Sequence, residues 1–384
     1  MKRTSVLLAT ILMTVLAGIT VTAPAGMAAR DGAPADDGCP DTDTWDAPEP
    51  TAWMGDARSE AVRIPARTGA CLSAILYGPV GANSRKLPAI LIVPGTGGGG
   101  DAQWWAAHDL AGHGYVALIV GPQGQGGSDA IGSPAPCEPT IDPDARVGEQ
   151  CRGLPPATNI DNYADAITAG IDWLLSPTSS YRVHPAKIGA AGHSQGARGA
   201  SLSQMTDDRV NAVVAWDNLT SDTAGDDGAP SGGGVQGAVI AGQVPTSSYP
   251  ITPRVPAMGH ASDGGMGDED VKKTAYEHWR GAGTAAMQIV FEDSAHGDWA
   301  IRDTPTGALS ERMRIEGLFT RGWFDLHLLG DSATLEAAVG PSWSSAHAVI
   351  DAKFHSAIYL PAIGLDCGDL FGCSAAASFS GTAS

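Results

Sequence analysis

Gly192-His193-Ser194-Gln195-Gly196 sets one small hydroxyl residue between two glycines, directly after the apolar run Ile188 to Ala191. This is the G-x-S-x-G spacing of a nucleophile elbow. A chain that leaves a strand and enters a helix in one sharp turn forces the central residue into a strained backbone. Flanking side chains would collide with neighbouring strands, and glycines relieve that crowding. The turn lifts the Ser194 hydroxyl clear of a sheet and holds it at the positive end of the next helix. The plainer alternative is a strand–helix turn whose serine caps the helix.

A serine hydroxyl is a poor nucleophile at neutral pH. It needs a base, and the base needs an orienting carboxylate. On a strand–turn–helix scaffold of this kind the partners follow in the order serine, acid, histidine. The chain holds ten histidines, and His296 in "FEDSAHGDW" follows the apolar run 286–291, where a base belongs. His260 ends an earlier run and reads as a polar residue near the pocket. His327 lies on a closing helix and reads as structural. His193, beside the nucleophile, packs or touches substrate. For the acid, Asp263 follows "VPAMGHAS" at the end of the penultimate run, and Asp217, at the end of "VNAVVAWD", is its rival. Asp268 and Asp270 lie further along the same loop, and Asp293 and Asp298 flank the base too closely to orient its ring. Ser194, His296 and Asp263 are therefore the expected catalytic set. The expected oxyanion donors are the backbone N–H groups of Gln195 and Thr96, with Gly97 second. Trp216, Gly97 and His193 are candidate substrate contacts, although Trp216 reads equally well as a packing residue. Of Trp104 and Trp105, at least one belongs in the core. "GTGGGGD" lacks the Lys-Ser/Thr pair of a phosphate-binding loop.

These residues require strands that end side by side. "PAILIVPG" (88–95), "YVALIVGPQ" (115–123), "AKIGAAG" (186–192), "VNAVVAWD" (210–217), 254–263 and 286–297 are apolar runs closed by Gly, Pro or Asp. Segments 101–114 (started by Asp101), 159–175, 195–205 and 311–329 carry helical patterns between or after them. Near-continuous apolar strands alternating with helices predict an α/β fold: a mostly parallel sheet with helices on both faces. In such sheets ligands bind beyond the carboxyl ends of the strands, where every candidate residue above falls.

The chain of 384 residues opens with Lys2, Arg3, an apolar run and small residues. That pattern predicts a removable signal peptide over 1–29 and a secreted product with no stable membrane insertion. A flexible leader over 30–50 and a catalytic domain over 51–331 follow, with insertions at 124–157 and 218–250. An extension over 332–384 closes the chain. The formal charge of −19 repels phosphate backbones and anionic lipid, which argues against nucleic-acid partners. Six cysteines in an exported chain suggest up to three disulfides. The shortest loops would pair Cys137 with Cys151 and Cys367 with Cys373, leaving Cys39 with Cys71. None has zinc-ligand spacing, and no metal or organic cofactor is expected.

Over roughly residues 70–331 the order "PGTGGGG", "GHSQG", "AWD", "ASD", "AHG", "WFDLHLLGD" resembles the α/β-hydrolase superfamily. Within it, the chain looks most like secreted bacterial esterases of the dienelactone-hydrolase-like and cutinase-like (polyester hydrolase) groups. The resemblance implies the α/β-hydrolase fold and a serine carboxylic-ester hydrolase acting through an acyl-enzyme on a small or polymeric ester. It also implies that Trp216 matches the tryptophan flanking the substrate. Thr96 stands where that group carries an aromatic residue, both insertions are long, and the nucleophile is Ser rather than the Cys of dienelactone hydrolases proper. A monomer is expected. Triacylglycerol lipase or polyester hydrolase is the alternative within the class, and a non-catalytic binding protein on a hydrolase scaffold is the alternative outside it.

Overall fold

In a computed structural model, the apolar runs become the inner strands of one ten-stranded sheet. The structure describes residues 39, 57–81, 85–98, 102–129, 160–217, 219–222, 250–263, 269–300, 311–339, 356–368 and 370. The expected signal peptide, the leader apart from Cys39, most of both insertions, Asp101, Asp268, Cys137, Cys151 and Cys373 lie outside the described residues.

In chain order the elements are β1 (Ala57–Pro65), β2 (Cys71–Pro79), β3 (Leu87–Val93), α1 (Trp104–Gly112), β4 (Val116–Val120), α2 (Ile160–Leu175), β5 (Val183–His193), α3 (Gln195–Thr206) and β6 (Val210–Trp216). They continue with β7 (Ala257–Ser262), α4 (Glu269–Gly281), β8 (Ala286–Phe291), a 3-10 turn (His296–Trp299), α5 (Glu311–Phe324) running into a π-turn (Asp325–Leu329), α6 (Ala333–Val339), β9 (Ala357–Leu360) and β10 (Leu365–Cys367). The sheet order is β1-β2-β4-β3-β5-β6-β7-β8-β9-β10. The six inner strands, β4 to β8 in that order, run parallel. Antiparallel pairs close both edges. The fold is thus α/β with a mostly parallel sheet and helices on both faces. The extension beyond 331 contributes β9 and β10 to that same sheet.

Side chains that alternate along a strand point to opposite faces, and β3 divides accordingly. Ala89, Leu91 and Val93 join the layer built by Tyr163, Ile167 and Ile171 of α2 and by Ala197 and Ala200 of α3. Ile90 and Ile92 join the opposite layer, with Trp105 of α1 and Phe319, Trp323 and Phe324 of α5. A strand covered on both faces must be apolar at every position, which is why these runs show no polar alternation. Cys39 and Cys71 form a disulfide, tying the leader to the start of β2. Cys367 is disulfide-bonded as well. Among the described residues no helix is long and apolar enough to cross a membrane.

Candidate active site

The serine turn is held open by the absence of two side chains. A Cβ on Gly192 would lie 2.3 Å from the Gly196 carbonyl oxygen, and one on Gly196 would lie 2.0 Å from the Val93 carbonyl oxygen. No real side chain fits either place, so β5 meets α3 in a bend that only glycine permits at both flanks. Between them Ser194 takes φ 56° and ψ −121°, a conformation costing about 1–3 kcal/mol for a residue with a Cβ. Its N–H donates to the Trp216 carbonyl at 3.1 Å, and the N–H of Asp217 donates to the His260 carbonyl at 2.9 Å. The parallel ladder therefore carries the serine and the aspartate on successive rungs, at the ends of neighbouring strands.

His296 bridges the two. The Ser194 hydroxyl donates to His296 Nε2 at 2.9 Å, and His296 Nδ1–H donates to Asp217 Oδ2 at 2.6 Å. The Asp217 side chain is fully buried. Its second oxygen accepts from the Ser262 N–H at 3.1 Å and the Ser262 hydroxyl at 3.0 Å, which compensates the burial of a charged group. Asp217 itself has φ 51°, a left-handed turn that swings its carboxylate back over the strand ends. The arrangement can draw a proton from the serine and hold the resulting imidazolium against a carboxylate.

The acid expected from the sequence, Asp263, is not at the imidazole. Its two carboxylate oxygens accept from the backbone N–H groups of Asp293 at 2.7 Å and Ser294 at 2.8 Å. Burial pushes this carboxyl up, but the N–H groups of Ser294 and Asp293 outweigh it and hold the group below the usual carboxylate range. Asp263 thus shapes the turn after β8 that delivers His296. The correction has a physical reason in the register. Trp216 pairs with His260, so β7 continues two residues past the point where β6 ends, and Asp263 sits beyond the imidazole's reach along the loop.

The 3-10 turn that carries His296 is gripped from several sides. His193, a candidate substrate contact for which packing was the other reading, is buried beneath it. Its Nε2–H donates to the His296 carbonyl oxygen at 2.6 Å, and the two rings stand 4.8 Å apart. Burial and then the neighbouring His296 push His193 down to about 4, so it is a neutral donor. The Trp299 ring packs against His193, His260 and Phe291. The Trp299 carbonyl accepts from Gln103 Nε2 at 3.2 Å and Trp105 Nε1 at 3.3 Å, both from the α1 side. Arg312 of α5 reaches Asp298 Oδ2 at 2.5 Å and the Glu292 carbonyl at 2.7 Å. His260 is buried against Phe291, and burial pushes it down to about 3. His327, as expected of a structural residue, packs edge-on against Trp323.

Facing the serine is the loop after β3. A Cβ on Gly95 would come within 3.0 Å of Ser194 Cβ, so the next residue, Thr96, borders the serine, and it is exposed. Gln195 opens α3 on the other side. The other two candidate substrate contacts fall elsewhere. The Gly97 N–H donates to Gln125 Oε1 at 2.6 Å, which removes it as an oxyanion donor. Trp216 is 0% exposed; it packs on Trp105 at 5.4 Å and donates its indole N–H to Thr320 Oγ1 at 3.1 Å. The packing reading of Trp216 holds, and so does the core placement of Trp104 and Trp105.

Sequence reasoning missed three contributors: the Arg312–Asp298 brace, the Gln125–Tyr163 pair behind the loop after β3, and the contact from His193 to the His296 backbone. Only the last had a local signal, because a histidine next to the nucleophile points into the sheet. Among the described residues no group of three or more His, Cys, Asp or Glu side chains is arranged to hold a metal ion. A scan against protein-family models finds no match to the chain, and a search of curated proteins finds none either.

Proposed function

We propose that the protein is a secreted serine hydrolase with the α/β-hydrolase fold, cleaving carboxylic esters through an acyl-enzyme. The observation that carries this reading is the unbroken line from the Ser194 hydroxyl through both nitrogens of His296 to the buried Asp217. In the proposed reaction Ser194 Oγ attacks the ester carbonyl carbon while His296 Nε2 takes its proton. The carbonyl oxygen becomes an oxyanion, held by the N–H groups of Gln195 and Thr96, each contributing a few kcal/mol at about the scale of one such donor. Collapse of the tetrahedral intermediate breaks the bond to the leaving alkoxide, which receives the proton from His296. Water, deprotonated by the same imidazole, then releases the acid and restores the serine. Export is supported by the signal-like leader and the Cys39–Cys71 disulfide. Trp216 supplies no aromatic flank, so the reading stays with carboxylic esters in general rather than with polyesters.

A fluorophosphonate probe and a short nitrophenyl ester test the proposal. Wild-type protein should be labelled and should turn the ester over, and Ser194→Ala should lose both. A folded wild type that takes no label, or labelling that survives Ser194→Ala, would point to a binding protein on this scaffold or to another nucleophile.

A further inference from the structure

Behind the loop facing Ser194 lies a buried polar pair that the triad does not use. Gly95 to Gly98 form a tight turn closed by the Gly98 N–H donating to the Gly95 carbonyl at 2.9 Å. Gly97, at its third position, has φ 72°, as a type II turn requires. The N–H of its central peptide, between Thr96 and Gly97, is the one that reaches Gln125 Oε1 at 2.6 Å. Gln125 Nε2 donates in turn to the Tyr163 hydroxyl at 2.7 Å, and that hydroxyl lies 3.2 Å from Thr96 Oγ1. Gln125 comes from the bend after β4 and Tyr163 from α2. Both are buried, so each belongs to the packed frame rather than to the loop.

We propose that Gln125, together with Tyr163, is a positioning residue that fixes the oxyanion donor of Thr96; the proposal rests on the ester-hydrolase reading above. The argument is geometric. A type II turn converts to its type I relative by flipping the central peptide, which would reverse the direction of the Gly97 N–H. The bond to Gln125 opposes that flip. The bond between the Tyr163 and Thr96 hydroxyls holds the other end of the same residue. With its side chain and its following peptide both tied to the frame, Thr96 has little freedom left, so an N–H serving the oxyanion role proposed above would keep one direction. A donor that is already aimed before charge develops stabilises the transition state without reorganising, whereas a loose one does not. Burial raises the Tyr163 phenol, and its hydrogen bonds to Thr96 and Gln125 pull it back to about 12. It therefore acts as a neutral hydroxyl throughout the working range. The role assigned to the pair belongs to the transition state and not to substrate binding.

The test uses the full mature chain carrying Gln125→Leu, which keeps bulk and deletes both bonds, and Tyr163→Phe, which deletes only the hydroxyl. Nitrophenyl ester kinetics and inhibition by a simple alkylboronic acid, which forms a tetrahedral adduct on serine, are measured beside melting temperature. Both variants should lose about 10- to 100-fold in kcat, less than removal of a donor outright. KM should stay within about threefold, and boronate inhibition should weaken in proportion to the loss in kcat/KM. A folded Tyr163→Phe with wild-type kcat and boronate affinity would overturn the role of the pair, even if Gln125→Leu fails to fold. So would losses confined to KM. Wild-type turnover is scored first. An inert wild type overturns the ester-hydrolase reading and the role built on it, while an active wild type with fully active variants overturns only the role of Gln125 and Tyr163.

Discussion

Asp217 and Asp263 lie one strand apart, each with a serine for a neighbour, and they do different work. Asp217 gives one oxygen to Ser262 and the other to His296 Nδ1. Asp263 gives both of its oxygens to backbone N–H groups. Asp217→Asn would present an amide to a ring nitrogen that must donate, forcing the wrong tautomer on His296. On the ester-hydrolase proposal the expected loss in kcat is about 10⁴-fold, the scale of the same change in a serine triad, with the melting temperature little moved. Asp263→Asn keeps one acceptor and sets an NH₂ against a backbone N–H. Its expected loss is about tenfold or less, alongside a lowered melting temperature from the loosened turn. Steady-state kinetics on the pair decide the matter; a larger kcat loss in Asp263→Asn would reverse the assignment. Ser194 and His296 were legible in the sequence because each follows an apolar run and is itself followed closely by glycine. The choice between two strand-end aspartates was not, because it depends on a register offset between β6 and β7 that no local pattern records. Trp216 was ambiguous for a related reason: its place on the α1 and α5 face follows from strand pairing.

Among the elements, α5 links the turn that carries His296 to the core. Arg312 in its first turn ties down Asp298 and the Glu292 carbonyl. One turn later, Glu316 is fully buried, with neither carboxylate oxygen hydrogen-bonded among the described residues. Burial pushes this carboxyl up to about 8; Arg312 pulls it down and Asp298 pushes it further up. Below the ordinary glutamate range both folded and unfolded chains hold the proton, and the group adds no pH dependence to stability. As pH rises from about 4.5 towards 8 the unfolded chain releases its proton and the folded one keeps it, so stability drains away at up to about 1.4 kcal/mol per pH unit. Above 8 the penalty is complete. Glu316→Gln should therefore melt progressively higher than wild type across that interval, and the gap should level off above it. Parallel melting curves for the two proteins that show a constant gap would refute a protonated Glu316. The inner strands and four helices were readable from apolar runs and helical spacing. The edge hairpin β1–β2 was not, because Arg58, Glu60 and Arg63 interrupt any run along β1. Helix α4 (EDVKKTAYEHWRG) is too polar to stand out, and β9 and β10 are only a few residues long.

At the scale of the whole molecule, one sheet carries two apolar layers and reaches from the leader's cysteine to the extension's last strands. The Cys39–Cys71 bond closes a loop of 32 residues, which on chain-entropy grounds stabilises the fold by about 3–4 kcal/mol. Cys39→Ser with Cys71→Ser should lower the denaturation midpoint by a corresponding amount and leave kcat of the folded protein near wild type. An unchanged midpoint would mean that the leader adds nothing to the domain. The ladder that holds Ser194 and Asp217 on adjoining rungs has a wider meaning. The gap an imidazole must bridge is gauged by the main-chain spacing of two parallel strands, a length of about 4.8 Å that side-chain substitution does not alter. The separation of serine and aspartate is thereby a property of the sheet, and what the loops around the site decide is how His296 is held between them.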